Sequence, residues 1–470
     1  MFKKKHIHFV GIGGIGMSGI AQVLHKKGFK VSGSDLSQNQ IVKKLKKNMK
    51  IFSSHNADNI NNADIIVYSS AIKKNNIEIL TAKKLKIPVF SRAMMLAQVM
   101  RLKSSITVAG SHGKTTTTSL ISSIFEASGM DPTILSGGII NNLEINAKLG
   151  KGEWIVAEAD ESDGSFMFLP STIGVINNID LEHVDYYKNL KHLKDSFLRY
   201  SENIPFYGFI SLGIDCKNVK EIEKKIYGKK VVTYGLSQKS NYSATNIKVI
   251  NKKNSYLTSF DLIENFEKKK IYKKFLTPLL GDHNIKNILA SISVSRELKV
   301  SYPQIKKALK TFSGVKRRFT ILHKSKHNLI IDDYAHHPVE IEETLKSLKQ
   351  ITKNEIISIF EPHRYSRMST MINEFVHCFK NSNYIFILPV FSAGEKKIKN
   401  IDSTFFYEKL RKKYSYKKVY ISEPNKIFFD TLKKKMTPGN NIIFLGAGLS
   451  SKTAYQFKNF LKKNVDIPFF

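Results

Sequence analysis

Short apolar runs alternate along this chain with longer stretches of helical spacing, and glycines gather where the one passes into the other. The first run enters IHFVGIGGIG, ending at Gly16, and a helix-like stretch follows over 17–27. Next comes KVSGSD, a short strand closing on Asp35; ADIIVYSSAI and IPVFSR continue the alternation, and AMMLAQVMRLK is a helix ending near residue 103. A strand, a glycine loop and a helix reappear in SITVAGSHGKTTTTSL, followed by two apolar runs with polar ends, EWIVAEADESD and TIGVINNIDLEHVD. The segment 216–276 is lysine-rich and β-like, with a periodicity too weak to place elements, whereas GDHNIKNILASISVS reads as a capped helix. After GVKRRF a third alternation begins: NLIIDDYAHHP, a helix over 338–350, EIISIFEPHRYSR, YIFILPVFSAGE, KVYIS and NNIIFLGAG. Such apolar runs alternating with amphipathic helices predict an α/β fold with parallel sheets. There is no short-period repeat, so the expectation is three concatenated α/β domains over 1–103, 104–315 and 316–470.

Composition agrees. A chain of 470 residues is too long for one core, and 42% apolar residues with 11% aromatics suffice to build several. Two cysteines, Cys216 and Cys378, exclude a disulfide framework or a multi-cysteine zinc site and suit a reducing compartment. The basic start MFKKKHIHFV has no signal-like apolar stretch, and no run approaches the ~20 apolar residues of a membrane span, so a cytoplasmic enzyme is expected. The net charge of +36 comes mostly from lysines spread along the whole chain, with arginine scarce. That distribution is a compositional bias rather than a nucleic-acid footprint, although it still attracts anionic substrates.

The strongest local chemistry lies at Gly110-Ser111-His112-Gly113-Lys114-Thr115-Thr116, where a strand turns into a helix. Backbone N–H groups and a helix N-terminus cradle phosphates, a lysine reaches the terminal phosphates, and a threonine hydroxyl can serve Mg²⁺. The turn is shorter than the common form, with only Ser111 and His112 between Gly110 and the Gly-Lys pair. The next strand ends supply candidate metal ligands, Glu158 in AEADESD and His183 beside Glu182 and Asp185. Carboxylates crowded at one strand end repel each other unless a cation sits among them.

Gly11, Gly13, Gly14 and Gly16 form G-x-G-x-x-G after a strand, with Asp35 about 19 residues beyond. That pattern admits a pyrophosphate without choosing between a dinucleotide and a UDP-sugar. A separate ATP loop favours a diphosphate substrate in the first domain. In the third, DDYAHHP and EPHRYSR follow apolar runs and project His336, His337, His363, Arg364 and Arg367, a set suited to an anionic substrate or an acyl phosphate.

Taken together, GIGGIGMSGIA, SGSD, SSAI, SRAMML, GSHGKTTT, AEADESDGSF, NNIDLEHVD, GDHNIKN, RRF, DDYAHHP, EPHRYSR, SAGE and GAG span nearly the whole chain, and the set resembles the Mur ligase family. The resemblance implies a Rossmann-like N-terminal UDP-binding domain, a central P-loop ATPase-like domain and a Rossmann-like C-terminal domain that takes the amino acid. It implies a cytoplasmic step of peptidoglycan precursor synthesis: ATP and Mg²⁺ activate the lactyl carboxylate of UDP-N-acetylmuramate as an acyl phosphate, and the amine of L-alanine displaces phosphate. No nucleic acid or stable membrane association is implied, and the chain would be a monomer or weak homodimer.

By the same resemblance, Gly11, Gly13, Gly14, Gly16, Met17, Ser18, Asp35, Ser69, Ser70 and Arg92 would bind the UDP-sugar. Residues 110–116 would bind ATP, with Asn284 and Asn287 near adenine and Arg318 near phosphate. Thr115, Glu158 and His183 would serve the metal, and Lys114, His336, Arg364 and Arg367 would act on the reacting groups. Ser111, Ala335 and Glu182 stand where the family usually has Thr, Gly and Asp; the run before SAGE lacks the usual acidic residue, and GAGLSS departs from the usual ending. A sister branch attaches a recycled murein tripeptide to the same sugar nucleotide, but it usually carries Tyr at the position of Ser162, so ESDGSFMFLP sides with the alanine-adding branch. An NAD-dependent oxidoreductase, resting on GIGGIG alone, and a nucleic-acid binder, resting on charge alone, are the rivals of other classes.

Overall fold

The computed structural model describes residues 5–69, 71–183, 186–252, 255–325 and 327–463. Ser70 and Asp185 lie outside the described residues. The chain divides into two compact units: Met1–Lys248 with Ser259–Pro278 and Asn284–Ser313, and Val249–Thr258 with Leu279–His283 and Gly314–Phe470. Three sheets are present among the described residues.

The first sheet has five parallel strands in the spatial order Lys50–Phe52, Lys30–Ser34, His6–Val10, Ile65–Tyr68 and Val89–Ser91. His6–Val10 is buried along its whole length because helices cover both faces of a parallel sheet. Chain order reverses on either side of this central strand, which opens the crevice where doubly wound sheets bind ligands. Gly33 is obligatory on the neighbouring strand: a Cβ there would lie 2.7 Å from Ile12 and 2.8 Å from the Phe9 carbonyl.

The second sheet runs Lys269–Thr277, Ser255–Asn265, Tyr242–Lys252, Lys230–Tyr234, Phe209–Gly213, Ile173–Ile176, Ser104–Ala109, Trp154–Glu158, Thr133–Ile140 and Ile145–Lys148. Its middle strands are parallel, and Ile145–Lys148 is antiparallel to its neighbour. The lysine-rich segment that shows little periodicity folds into the helix Lys217–Glu223 and long strands at one edge. One face of such an edge is wet, so lysines are tolerated there and the apolar signal is diluted. Ser104–Ala109 sits between Ile173–Ile176 and Trp154–Glu158, so all three carboxyl ends converge.

The third sheet, inside the second unit, has the order Thr320–Lys324, Leu329–Asp333, Asn441–Leu445, Ile356–Phe360, Tyr384–Ile387 and Lys418–Ile421, parallel except for its first strand. Leu329–Asp333, Asn441–Leu445 and Ile356–Phe360 are buried throughout. Among the described residues, no helix is long and apolar enough to cross a membrane.

Candidate active site

The turn after Ser104–Ala109 is shaped by two glycines in left-handed conformations, Gly110 (φ 132°) and Gly113 (φ 81°), before the helix Lys114–Ala127 begins. A Cβ on Gly113 would lie 2.4 Å from Asn287 Oδ1 and 3.0 Å from Asn177 Nδ2, so both φ and space demand glycine. The segment Asn177–Asp180 clamps the turn from the adjacent strand. Asn178 accepts from Ser111 N through its carbonyl (3.1 Å) and from His112 N through its side chain (2.7 Å). Both Asn177 and Asn178 donate to the His112 carbonyl, and Ser111 Oγ bridges Asp180 N and O. The His112 ring lies 3.3 Å from Asp180. The first-turn N–H groups of the following helix have no carbonyl one turn earlier to receive them, and they face the same end of the sheet.

Lys114 folds across this turn. Its ammonium donates to the carbonyls of Gly110 (2.6 Å) and Ser111 (3.2 Å) and to Glu161 Oε1 (2.9 Å). Burial disfavours the charge, but Glu161, Asp160 and Glu182 outweigh it and hold the lysine above its ordinary pKa. Thr116 is buried in the first turn, while Thr115 Oγ donates to Glu158 Oε2 at 3.0 Å. Glu158 also accepts from Gly137 N. His183, held at φ 54°, places Nε2 3.6 Å from Glu161 and 3.8 Å from Glu182. One ligand atom from each of Glu161, Glu182 and His183 falls within 4.8 Å of the others, a set suited to one divalent cation.

The acidic strand end also reaches the first sheet. Arg92 Nη2 donates to Asp160 Oδ2 at 3.0 Å, and its guanidinium packs on Gly16, where a Cβ would lie 3.2 Å from Nη1. Burial would raise the Asp160 carboxyl, but Arg92, Lys114 and the Ser162 N–H bring it to about 2. The glycine loop therefore sits one arginine away from the phosphate turn. Gly11 takes φ 80° and lies against Ser69, whose Cβ would be 3.2 Å from an added one. Asp35 braces this loop: Oδ2 accepts from Gly13 N (2.7 Å) and Oδ1 from Ser37 N (2.8 Å). The Gly14 carbonyl accepts from Ser18 N at the start of the helix Ile15–Lys26.

Four of the residues expected at the binding sites have partners within the fold itself. The Met17 side chain is packed in the core, with Cγ 4.0 Å from where a Cβ on Gly14 would lie, and Ser18 Oγ donates to the Ile15 carbonyl, so both side chains brace the start of the helix behind the loop. Asn287 Oδ1 accepts from Thr117 Oγ (3.2 Å), and its amide meets Asn284 (3.4 Å), so the pair braces the back of the phosphate turn. The residues missed as actors are Glu161, Asp160, Asn177 and Asn178. All lie inside motifs legible in the chain, but nothing in spacing tells which carboxylate of AEADESD turns inward.

In the second unit, the expected cluster does gather at the carboxyl ends of the strands. The His336 and His363 rings are 5.2 Å apart, and Arg367 Nη1 donates to His363 Nδ1 at 3.3 Å. Burial and the nearby His336, Arg367 and Arg364 charges depress His363 to about 3, so it is a neutral acceptor at neutral pH. Arg364 occupies a left-handed backbone (φ 67°) fixed by its N–H bond to the Phe391 carbonyl, and its guanidinium is 3.8 Å from Glu395. His336 Nδ1 lies 3.0 Å from the Tyr334 carbonyl. Arg318 stacks on the Tyr334 ring and approaches Glu340 at 3.4 Å. His337 is buried at the start of the helix Pro338–Lys349. Asp333 accepts from Phe319 N and Ala335 N, both at 2.7 Å; burial raises it to about 6 despite Arg318. Glu361 ties down the GAG turn by accepting from Gly448 N and Leu449 N.

Comparison with known proteins agrees with this geometry. The Mur ligase family catalytic domain matches residues 6–104, the Mur ligase middle domain 108–295, and the Mur ligase glutamate ligase domain 317–448. A UDP-N-acetylmuramate--L-alanine ligase of Rickettsia bellii is 44% identical over 454 residues, 95% of each chain. One of Agrobacterium fabrum is 40% identical over 460 residues, 97% of each. Among solved structures, a UDP-N-acetylmuramate-alanine ligase from Thermotoga maritima superposes with a TM-score of 0.80 at 26% identity, covering 98% of this chain and 99% of that one. A murein peptide ligase from Psychrobacter arcticus shares the fold, with a TM-score of 0.69 at 20% identity over 98% of this chain and all of that one. A phosphate turn clamped between two acidic or amide-bearing strand ends, a glycine loop joined to it by Arg92, and three consecutive family domains place this chain in the Mur ligase family.

Proposed function

We propose that this chain consumes ATP to join L-alanine to the lactyl carboxylate of UDP-N-acetylmuramate, a cytoplasmic step in peptidoglycan precursor synthesis. The observation that carries the reading is the Arg92–Asp160 contact, which sets the glycine loop of the first sheet beside the acidic strand end that grips Lys114. Near-full-length identity of 40–44% to ligases of that name supports the choice of acceptor and amine. The working domains are residues 1–103 for the sugar nucleotide, 104–315 for ATP and 316–470 for the amino acid.

The N–H groups of the loop and of the helix Lys114–Ala127 receive the phosphates, and Lys114 turns from the Gly110 and Ser111 carbonyls toward the transferring phosphoryl group. The lactyl carboxylate attacks the γ-phosphorus of ATP, the bond to the bridging oxygen breaks and ADP leaves, giving an acyl phosphate; the neutral amine of L-alanine then attacks the acyl carbon, loses a proton to solvent and expels inorganic phosphate. No protein nucleophile is required; positioning and charge neutralisation supply the rate. Glu161, Glu182 and His183, with Thr115 and Glu158, suit Mg²⁺, which supplies positive charge at the phosphates when bound. In the second unit, Arg364, Arg367 and His336 offer cationic or N–H donors to the carboxylate of the amino acid.

Phosphate release in the presence of UDP-N-acetylmuramate, ATP and Mg²⁺ tests the proposal. L-alanine alone should suffice, whereas a requirement for the murein tripeptide would transfer the chain to the sister activity. Lys114→Ala should lower kcat by on the order of a thousandfold while leaving UDP-sugar binding intact. Near-normal turnover in that variant would end the phosphate-turn assignment.

A further inference from the structure

Beneath the glycine loop lies a buried charged network that the reaction does not use. Glu78, on the helix Ile77–Lys84, is fully buried. Its Oε2 accepts from Ser34 Oγ and lies beside His55 Nδ1, both at 2.7 Å; its Oε1 accepts from Asn59 Nδ2 at 2.7 Å and faces His8 Nε2 at 3.5 Å. His8 and His6 share Ser32 Oγ at 2.8 Å each. Burial works against the Glu78 charge, but the bonds from His8, Ser34, Asn59 and His55 overcome it and keep the carboxyl below its ordinary range. A buried carboxylate with so many donors is costly to assemble and costlier to break.

What this network holds is the end of the strand Lys30–Ser34. The Ser34 carbonyl accepts from both Gly11 N (2.8 Å) and Ile12 N (3.1 Å), and the next residue, Asp35, accepts from Gly13 N. Three successive N–H groups of the loop thus hang on two residues, and the side chain of the first is anchored on Glu78. We propose that Glu78, acting through Ser34, is a positioning residue for the sugar-nucleotide diphosphate: it fixes the height and tilt of the Gly11–Gly13 turn against the strand. This rests on the reading that the glycine loop receives UDP-N-acetylmuramate.

The test uses full-length protein, titrated calorimetrically with UDP-N-acetylmuramate and assayed for KM and kcat. Ser34→Ala removes the link while leaving Glu78 its other donors; Glu78→Gln keeps the shape and replaces one acceptor oxygen with a donor. Each should raise Kd and KM for the UDP-sugar about tenfold, with KM for ATP and kcat at saturation changed less than about twofold. The double variant should be no worse than the more severe single one, because both act along one chain of contacts. Glu78→Asp should recover part of the loss. Should Glu78→Gln fail to fold, Ser34→Ala alone decides. Unchanged UDP-sugar affinity in a folded Ser34→Ala variant, or equal losses for ATP and UDP-sugar, would overturn the proposal. Absence of UDP-sugar binding by the unaltered protein would instead remove the reading on which it rests.

Discussion

Single side chains in the second unit carry opposite linkages to pH. Asp333 is raised by burial from an ordinary value of 3.8 to about 6, so the folded chain holds its proton where the unfolded chain has lost it. Stability from this group is therefore lost as pH rises from about 4 to 6, by on the order of 3 kcal/mol. His363 is lowered by burial and its cationic neighbours from 6.5 to about 3, so the unfolded chain takes up the proton first. Its contribution is lost as pH falls from 6.5 toward 3. Melting of Asp333→Asn and His363→Gln beside the unaltered protein should separate them. The Asp333→Asn difference should move in the variant's favour as pH rises from 4 to 6.5, and the His363→Gln difference as pH falls through the same range. Parallel curves would mean that neither group titrates as its surroundings dictate. His363 also shows where sequence reading reaches its limit: EPHRYSR marks a basic strand end, but only the packed neighbours make this histidine a neutral acceptor for Arg367.

Elements were more legible than the contacts between them. Buried parallel strands read as continuous apolar runs, so the strands that bear the site are visible in IHFV, SITVA, WIVAE and IIDD, together with the polar residues that follow each. The long edge strands from Tyr242 to Thr277 read only as a β-like segment without bounds, because lysines on their open face dilute the alternation. The site followed the same division: residues 110–116 stand out through glycine chemistry, whereas the Asn177–Asp180 clamp and the Asn287 brace come from chain-distant packing. That packing gives the turn its own test. Gly113→Ala must accept φ 81° and a Cβ 2.4 Å from Asn287 Oδ1, a conformational cost of about 1 kcal/mol before any clash. ATP affinity measured by titration should fall at least tenfold while UDP-sugar affinity is retained. A variant that binds ATP normally would show that the turn has slack which the packing denies.

Across the whole chain, the excess of 75 basic over 39 acidic residues acts on both substrates at once. UDP-N-acetylmuramate and ATP are polyanions, so a field of this sign raises their encounter rate without altering the bound geometry, and its reach is set by screening. Between 0.01 and 0.15 M salt the Debye length shrinks from about 30 to about 8 Å, short enough to silence most of the dispersed lysines but not the Lys114–Glu161 or Arg92–Asp160 pairs, which are in direct contact. Added salt should therefore lower kcat/KM for both anionic substrates severalfold over that range, leave kcat nearly constant, and raise the melting temperature as self-repulsion is screened. Potassium chloride and potassium acetate should give the same slope if screening is the cause, whereas a slope that follows the anion would point to direct competition at a phosphate cradle. A kcat that fell in step with kcat/KM would place the charge effect in the chemical step, contrary to a field that only gathers substrate.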